Sequence, residues 1–395
     1  MNSELVLVLL FCAATAVAIA ARPLRIPYTV ALVVAGTLLG MAHWIEPPPL
    51  TKELLFTVFL PGLVFEAAFH LELKHFWSNK LLIAGLAVPG VVAGQFLIAL
   101  ALSRAPSLTG LGFQEALLFA AIIVATDPVA VLAIFREVAV PGRLATIVEG
   151  ESLLNDGTGV VIFTMMLGVV SGGHTSAGEL VLGFVKAAGG GAAIGAAFGV
   201  AVWRITRRVD DPMIEITLTV IAAYGSFGVA EQLGMSGVIA AVAAGLVCGS
   251  VAAERGMGKA TRAAVNVFWE YVAFALNSMV FLLMGFRIDP AALLADWLPI
   301  VLAWVAVTLA RAAVLYAATG LLRLTRAEVH WRWTLIATWS GLRGALGMTL
   351  ALSLPASFHA RELVVRLTFG VVLLTLLVQG LTLRPMVRAL RVGGD

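Results

Sequence analysis

Charge is what this sequence has least of. Of its 395 residues, 12% are Asp, Glu, Lys or Arg and 61% are hydrophobic. The mean hydropathy is +1.00. A soluble domain carries about 25% charged residues, so a soluble globular fold is excluded. Cysteine is nearly absent. Cys12 and Cys248 both fall in apolar runs. They make no metal-ligand spacing and suggest no disulfide framework. The six histidines are His43, His70, His75, His174, His330 and His359. They sit near the ends of apolar runs, form no ligand cluster and read as interfacial polar residues. No nucleotide-binding loop, metal-ligand histidine pair or Ser/His/Asp set is present, so neither enzyme chemistry nor a cofactor is expected. The net charge of +3 would suit nucleic acid. The excess Lys and Arg lie in loops, however, as membrane orientation requires, and a nucleic-acid partner is rejected.

Long apolar runs are abundant. Thirteen can be counted, at roughly 4–21, 27–43, 53–70, 81–103, 114–135, 144–170, 178–203, 213–232, 236–253, 264–286, 297–322, 333–354 and 364–383. Each is near the length a helix needs to cross a bilayer. None alternates strictly, so a β-barrel is not expected. No positive charge precedes the first run, which therefore reads as a span and not as a signal peptide. With the N-terminus outside, eighteen Lys and Arg fall in inside loops and five in outside loops. That bias supports both orientation and count, with the C-terminus cytoplasmic.

Thirteen spans divide as six, one and six. Spans 1–6 (residues 1–170) begin outside, and spans 8–13 (residues 213–383) begin inside. The halves thus have opposite topology, as in transporters built from inverted repeats. Span 7 (178–203) links them. The fifth span of each half is interrupted: Thr126-Asp127-Pro128 in span 5, Ser340-Gly341-Leu342-Arg343-Gly344 in span 12. Pro128 removes a backbone donor and biases Asp127 away from helical geometry, while Gly341 and Gly344 loosen span 12. The expected fold is an all-α polytopic membrane protein whose broken spans 5 and 12 cross at mid-membrane. In span 7, Gly191, Gly195 and Gly199 recur every four residues. Such a stripe serves either a homodimer contact or packing within the subunit, and spacing alone leans to the second.

Residues 149–163 read EGESLLNDGTGVVIF. Glu66, Asp127, Glu151, Asp156 and Arg343 all fall well inside spans. A charge at the bilayer centre costs ~2.5–3.5 kcal/mol on an insertion scale. Unpaired, the five would cost on the order of 10 kcal/mol, comparable to the net stability of a whole protein. A structural salt-bridge network is the plain alternative, but intramembrane acids more often mark ion or proton paths. On span 6, Ser152 and Asp156 share one face and Glu151 and Asn155 the neighbouring one. The first row can point a hydroxyl and a carboxylate at a small cation. The second can meet Arg343 and hold the helix. Glu149, a turn nearer the surface, reads as solvated. Span 5 adds Asp127, Thr126 and freed backbone carbonyls. All-oxygen ligation suits a hard monovalent cation. A desolvated carboxylate gains proton affinity, whereas a cation beside it favours the ionised form. One site then holds a proton or a metal ion, and each expels the other. Asp156 is the expected competing group and Asp127 its partner.

At these residues a family resemblance emerges. ATDPVAVLAIF followed by EGESLLNDGTGVVIF resembles the sodium/proton antiporters of the monovalent cation/proton antiporter superfamily, in the branch that includes the animal exchangers. LPGLVFEAAF at 60–69 and SGLRGALGMTLAL at 340–352 are similar to the same branch. The resemblance implies a homodimer in which a core of spans 4–6 and 11–13 moves, elevator-like, against a dimerisation domain of the remaining spans. It implies sodium contacts from Thr126, Asp127, Ser152 and Asp156, with Glu66 nearby, and a stabilising polar cluster of Glu151, Asn155 and Arg343. The Asn-Asp pair at 155–156 is similar to electroneutral exchangers that trade one proton for one cation. The chain ends soon after span 13 without the long tail of animal exchangers, so tail-mediated regulation is not expected; a prokaryotic-type plasma-membrane location is. The expected partners are a monovalent cation (sodium, with lithium or potassium as alternatives), protons, the bilayer and a second copy. A cation channel would need a continuous pore, usually with symmetric rings of ligands, and the ligands here are asymmetric within one chain. A non-transporting membrane scaffold would leave the buried acids unexplained.

Overall fold

The apolar runs fold as helices, because only a helix satisfies its own backbone groups inside a bilayer. The structure, a computed structural model, describes residues 3–24, 27–42, 51–170, 176–253, 256–322 and 329–393. His43 and His174, read above as interfacial, and Arg25, Arg255, Arg323 and Arg326, which are among the eighteen inside-loop Lys and Arg, lie outside the described residues. Among the described residues there is no strand.

The helices are α1 Ser3–Leu24, α2 Tyr28–Ala42, α3 Leu55–His70, α4 Lys80–Ser103, α5 Phe113–Ile123, α6 Val129–Glu137, α7 Gly142–Val170 and α8 Ala177–Thr206. They continue with α9 Pro212–Gln232, α10 Gly237–Ala252, α11 Lys259–Phe286, α12 Trp297–Leu322, α13 Trp331–Trp339, α14 Ala345–Leu352 and α15 Arg361–Ala389. Each expected span has its helix. Span 5 is the broken pair α5/α6, and span 12 the broken pair α13/α14. Helices α4, α7, α8, α9, α11, α12 and α15 are long and apolar enough to cross a membrane by length and composition. Short helices at Leu73–Ser78, Pro106–Thr109 and Pro290–Ala295 were not anticipated. Each is too brief to give a periodic signal.

Several starts follow simple capping chemistry. Ser176 and Glu179 form a reciprocal capping box at α8. At α9 the Asp211 carboxylate accepts from the Met213 and Ile214 amides, with Pro212 in the first turn. Asp289-Pro290 does the same for the Pro290–Ala295 helix. The third Asp-Pro pair in the chain is Asp127-Pro128, which starts α6. A common helix-initiating dipeptide has been placed in the middle of a span.

The chain packs as two compact units. The first comprises Met1–Lys52, Lys80–Asn155 and Ser278–Asp395; the second comprises Glu53–Asn79 and Asp156–Asn277. The division falls inside α7, after Asn155, and inside α11, after Asn277. The first unit therefore holds spans 1 and 2 as well as most of spans 4–6 and 11–13. Within it, α4 packs on α5 and on α12, and Gln95 Nε2 donates to the Leu117 carbonyl at 3.1 Å. Close approach of α2 to the end of α11 requires small residues: a Cβ on Gly36 would meet the Leu282 carbonyl, and one on Gly285 would meet Val33.

In the second unit the glycine stripe of α8 lies against α10. A Cβ on Gly191 would strike the Ser236 carbonyl, one on Gly195 the Ala240 carbonyl, and one on Gly199 Val247. The stripe thus serves packing within the subunit, the side on which spacing leaned. On another face of α10, Gly245 and Gly249 meet the Phe65 and Phe69 carbonyls of α3. Trp269 is fully buried with Phe65, their rings 4.6 Å apart. Its indole N–H, which needs a partner when buried, donates to Thr219 Oγ1 at 3.0 Å.

Candidate functional site

The two broken spans meet in the first unit. Helix α5 ends at Ile123 and α6 starts at Val129; α13 ends at Trp339 and α14 starts at Ala345. The non-helical segments between them are joined by a backbone bond, Asp127 N–H donating to the Leu342 carbonyl at 2.8 Å. Such a bond compensates backbone groups that the breaks remove from the helical ladders. It also brings the segments into direct contact. A Cβ on Gly344 would overlap the Asp127 carboxylate, and one on Gly341 would overlap the Arg311 side chain. Glycine at these positions makes room for a charged neighbour, a role beyond loosening the helix.

Four half-helix ends converge here, and the charges of three of them are answered. The C-terminal carbonyls of a helix carry partial negative charge. At the end of α5, Arg343 Nη1 donates to the carbonyls of Ile123, Val124 and Ala125. At the end of α13, Arg311 donates through Nε and Nη2 to the Ala337 carbonyl at 3.1 and 3.0 Å. The N-terminus of α6 carries partial positive charge, and Asp127 lies there. Its Oδ1 accepts from the Val129 amide at 2.9 Å.

Helix α7 supplies the wall. Asn155 donates from Nδ2 to Thr126 Oγ1 at 2.9 Å, and its Oδ1 accepts from the Thr126 amide at 3.3 Å. The hydroxyls of Thr126 and Ser152 are 2.8 Å apart. All three residues are buried. The structure therefore brings together Thr126, Asp127, Ser152 and Asn155, with Pro128 at the start of α6. Asn155 grips the break of α5 itself.

One expectation is corrected. Glu151 was expected to meet Arg343. It is instead held by Arg311 of α12 in a two-pronged pair, Nη1 to Oε1 at 2.7 Å and Nη2 to Oε2 at 2.8 Å. Both side chains are less than one-tenth exposed. Arg343 is committed to the carbonyl end of α5, where three acceptors converge. Sequence alone gave Arg311 no role. The signal available for it was an arginine deep in an apolar run, the same signal that singled out Arg343.

Asp156 and Glu66 belong to the second unit. Asp156 is half-buried on α7, one turn beyond Ser152. Glu66 is half-buried on α3, where its Oε1 lies 3.1 Å from His70 Nδ1. His70 Nδ1 also lies 3.1 Å from the Glu66 carbonyl oxygen. A carbonyl only accepts, so this nitrogen carries the proton. His70 is thus a partner of Glu66 and not simply an interfacial residue. Among the described residues no group of three or more His, Cys, Asp or Glu could hold a metal ion.

Comparison with known proteins agrees with this architecture. Residues 6–389 match the family described as "Sodium/hydrogen exchanger, transmembrane". The Na(+)/H(+) antiporter ApNhaP of Aphanothece halophytica is 39% identical over 374 residues, 94% of this chain and 71% of that one. The Na(+)/H(+) antiporter NhaH of Halobacillus dabanensis is 36% identical over 398 residues, 98% of this chain and 97% of that one. The solved structure of the sodium proton antiporter MjNhaP1 from Methanocaldococcus jannaschii at pH 8 superposes with a TM-score of 0.78 at 20% identity, covering 99% of both chains. That likeness carries the fold; the sequence matches carry the assignment. With two spans broken at mid-length and joined at Asp127 and Leu342, and with a match over nearly its whole length, this chain belongs to the transmembrane sodium/hydrogen exchanger family.

Proposed function

We propose that this chain is a secondary antiporter that carries sodium one way and a proton the other across the plasma membrane, one for one. The relatives' names support the cargo. The observation that carries the reading is the crossing itself: a buried meeting point of two broken spans where a carboxylate, two hydroxyls and freed backbone oxygens come together. Sodium is a hard cation and takes oxygen ligands. Thr126, Asp127, Ser152 and Asp156 would hold it, with Glu66 nearby. Loading sodium discharges a proton from the carboxylates, and loading a proton discharges sodium. The empty charged site is costly to move through hydrocarbon, so only loaded forms change sides.

In this proposal the movement is elevator-like. Spans 4–6 and 11–13 form the moving core, and the rest form the dimerisation domain of a homodimer. The N-terminus is outside and the C-terminus cytoplasmic. Asn155 beside Asp156 leaves one titrating group where two would carry an extra charge, which is the basis for one-for-one stoichiometry. Proteoliposomes loaded with a pH dye test the reading. Sodium should drive proton flux that an imposed membrane potential leaves unchanged, and Asp156→Asn should abolish it in folded protein. Full exchange by that variant removes Asp156 from the mechanism. Sodium current without proton movement replaces the antiporter with a channel. Running lithium and potassium in the same assay ranks the cargoes.

A further inference from the structure

The first unit also holds an apolar groove of about 420 Å³ between α2, the Pro290–Ala295 helix, α12 and α15. Val34, Leu38, Leu294, Trp297, Ile300 and Leu377 are among the residues that line it. Leu38, Leu294 and Trp297 are 62%, 72% and 59% exposed, so the groove opens at the surface, where a spanning chain meets lipid. Only Thr37 and Trp297 bring a side-chain polar atom to the lining, and the Thr37 hydroxyl is committed to the Val33 carbonyl at 2.9 Å. A bound water needs two to four polar partners, so water is a poor occupant. Leaving the groove empty forfeits dispersion contacts along its whole lining. Hydrocarbon suits it, and the volume lies within the range of small-molecule sites, about 300–1,000 Å³.

The placement of the groove matches one lipid chain. An ion pair between Arg366 and Asp296 ties α15 to the residue before α12 and marks a charged level near the membrane surface. Leu377 lies eleven residues further along α15, roughly 16 Å deeper by helical rise. That is half of the ~30 Å hydrocarbon core, the depth of one leaflet. At the shallow end, Trp297 is an indole of the kind that settles at headgroup level. Arg287, next to the lining residue Ile288, is exposed and forms no ion pair among the described residues. A guanidinium pairs readily with phosphate oxygens. We propose that the groove is a binding site for one phospholipid: an acyl chain lies along α15 from Trp297 to Leu377, and the phosphate sits at Arg287. This assignment is independent of which ion the protein carries.

Photolabelling of the detergent-solubilised protein tests it. The probe is phosphatidylglycerol with a diazirine near the end of one acyl chain. After irradiation and digestion, label should concentrate on the α15 peptide around residues 373–377 and the α2 peptide around residues 34–38. Unlabelled phosphatidylglycerol should displace it at least about tenfold more effectively than a diacylglycerol with the same chains, which has no phosphate for Arg287. Arg287→Gln should erase that preference. Leu373→Trp, which fills the groove, should cut the label on these peptides severalfold. Arg287 is exposed, so Arg287→Gln keeps the test decisive even if Leu373→Trp fails to fold. Label spread over all lipid-facing helices in proportion to exposure overturns the inference, as does a groove that takes no label. Equal displacement by diacylglycerol, or a phosphate preference that survives Arg287→Gln, overturns it too.

Discussion

Arginine 311 is the residue whose removal the structure makes most consequential for stability. Its guanidinium holds Glu151 by two bonds of 2.7 and 2.8 Å and the Ala337 carbonyl by two more. The side chains of Arg311 and Glu151 are 8% and 7% exposed. Arg311→Met removes the charge, keeps much of the volume and strands Glu151 as a buried, unpaired anion. Breaking a buried pair in this way costs about 3–5 kcal/mol. The Ala337 carbonyl also loses both bonds from the arginine, though it keeps the Ser340 hydroxyl at 3.0 Å; this adds up to about 1 kcal/mol. The melting temperature of the detergent-solubilised protein should fall by on the order of 10 °C. Glu151→Leu should cost a similar amount, because it strands the arginine. The double variant Arg311→Met/Glu151→Leu removes both charges and should recover most of the loss, since an apolar pair of similar volume often replaces a buried ion pair without penalty. The coupling energy of this cycle is the decisive quantity. Two single losses that simply add in the double variant, or single variants as stable as the parent, would refute the argument.

Other substitutions separate the site from its frame. Gly344→Ala drives a Cβ into the Asp127 carboxylate and should abolish exchange, whereas Gly85→Ala, with nothing within 4 Å of its Cβ, should leave exchange intact and raise stability by about 0.5–1 kcal/mol; parallel flux and melting assays check both. Thr126→Val removes the hydroxyl that accepts from Asn155 and pairs with Ser152. It should cost about 1–3 kcal/mol and raise the sodium concentration needed for half-maximal exchange. Gly195→Leu on α8 collides with the Ala240 carbonyl and should destabilise the protein by at least the ~1–3 kcal/mol typical of overpacking, read as a lower melting temperature. If a single titrating site is shared by the two cargoes, the apparent sodium affinity should weaken about tenfold for each unit of pH on the acid side of that titration. A flat dependence would mean separate sites.

The sequence revealed some of this more readily than the rest, for physical reasons. Spans announce themselves because a bilayer demands long apolar runs, and their number survives in the loop charges. The breaks were legible because proline and paired glycines stand out in such runs. The nearness of Thr126 to Ser152 was implied by the family resemblance, but the bonds from Asn155 to Thr126 were not anticipated, because spacing put Asn155 on the row facing Arg343. The partner of Glu151 was not anticipated either. Arg311 and Arg343 are both arginines within apolar segments, and only the three carbonyls at the end of α5, which no residue type marks, decide which one turns away. The same holds for Gly344, whose need for a bare Cα comes from Asp127, more than two hundred residues earlier. The glycine stripe at 191–199 was visible at once, but its partner helix was not, because a small-residue face suits any close neighbour. Short helices such as Leu73–Ser78 left no periodic trace at all.

The central claim is that a proton and a sodium ion compete for the same carboxylates. Purified protein held in weak buffer near the middle of its titration, and given increasing sodium, measures this directly through the pH of the solution. The account predicts that protons appear as sodium binds, approaching one for each ion taken up, and that Asp156→Asn releases none. Sodium binding of undiminished affinity with no change in pH would contradict it.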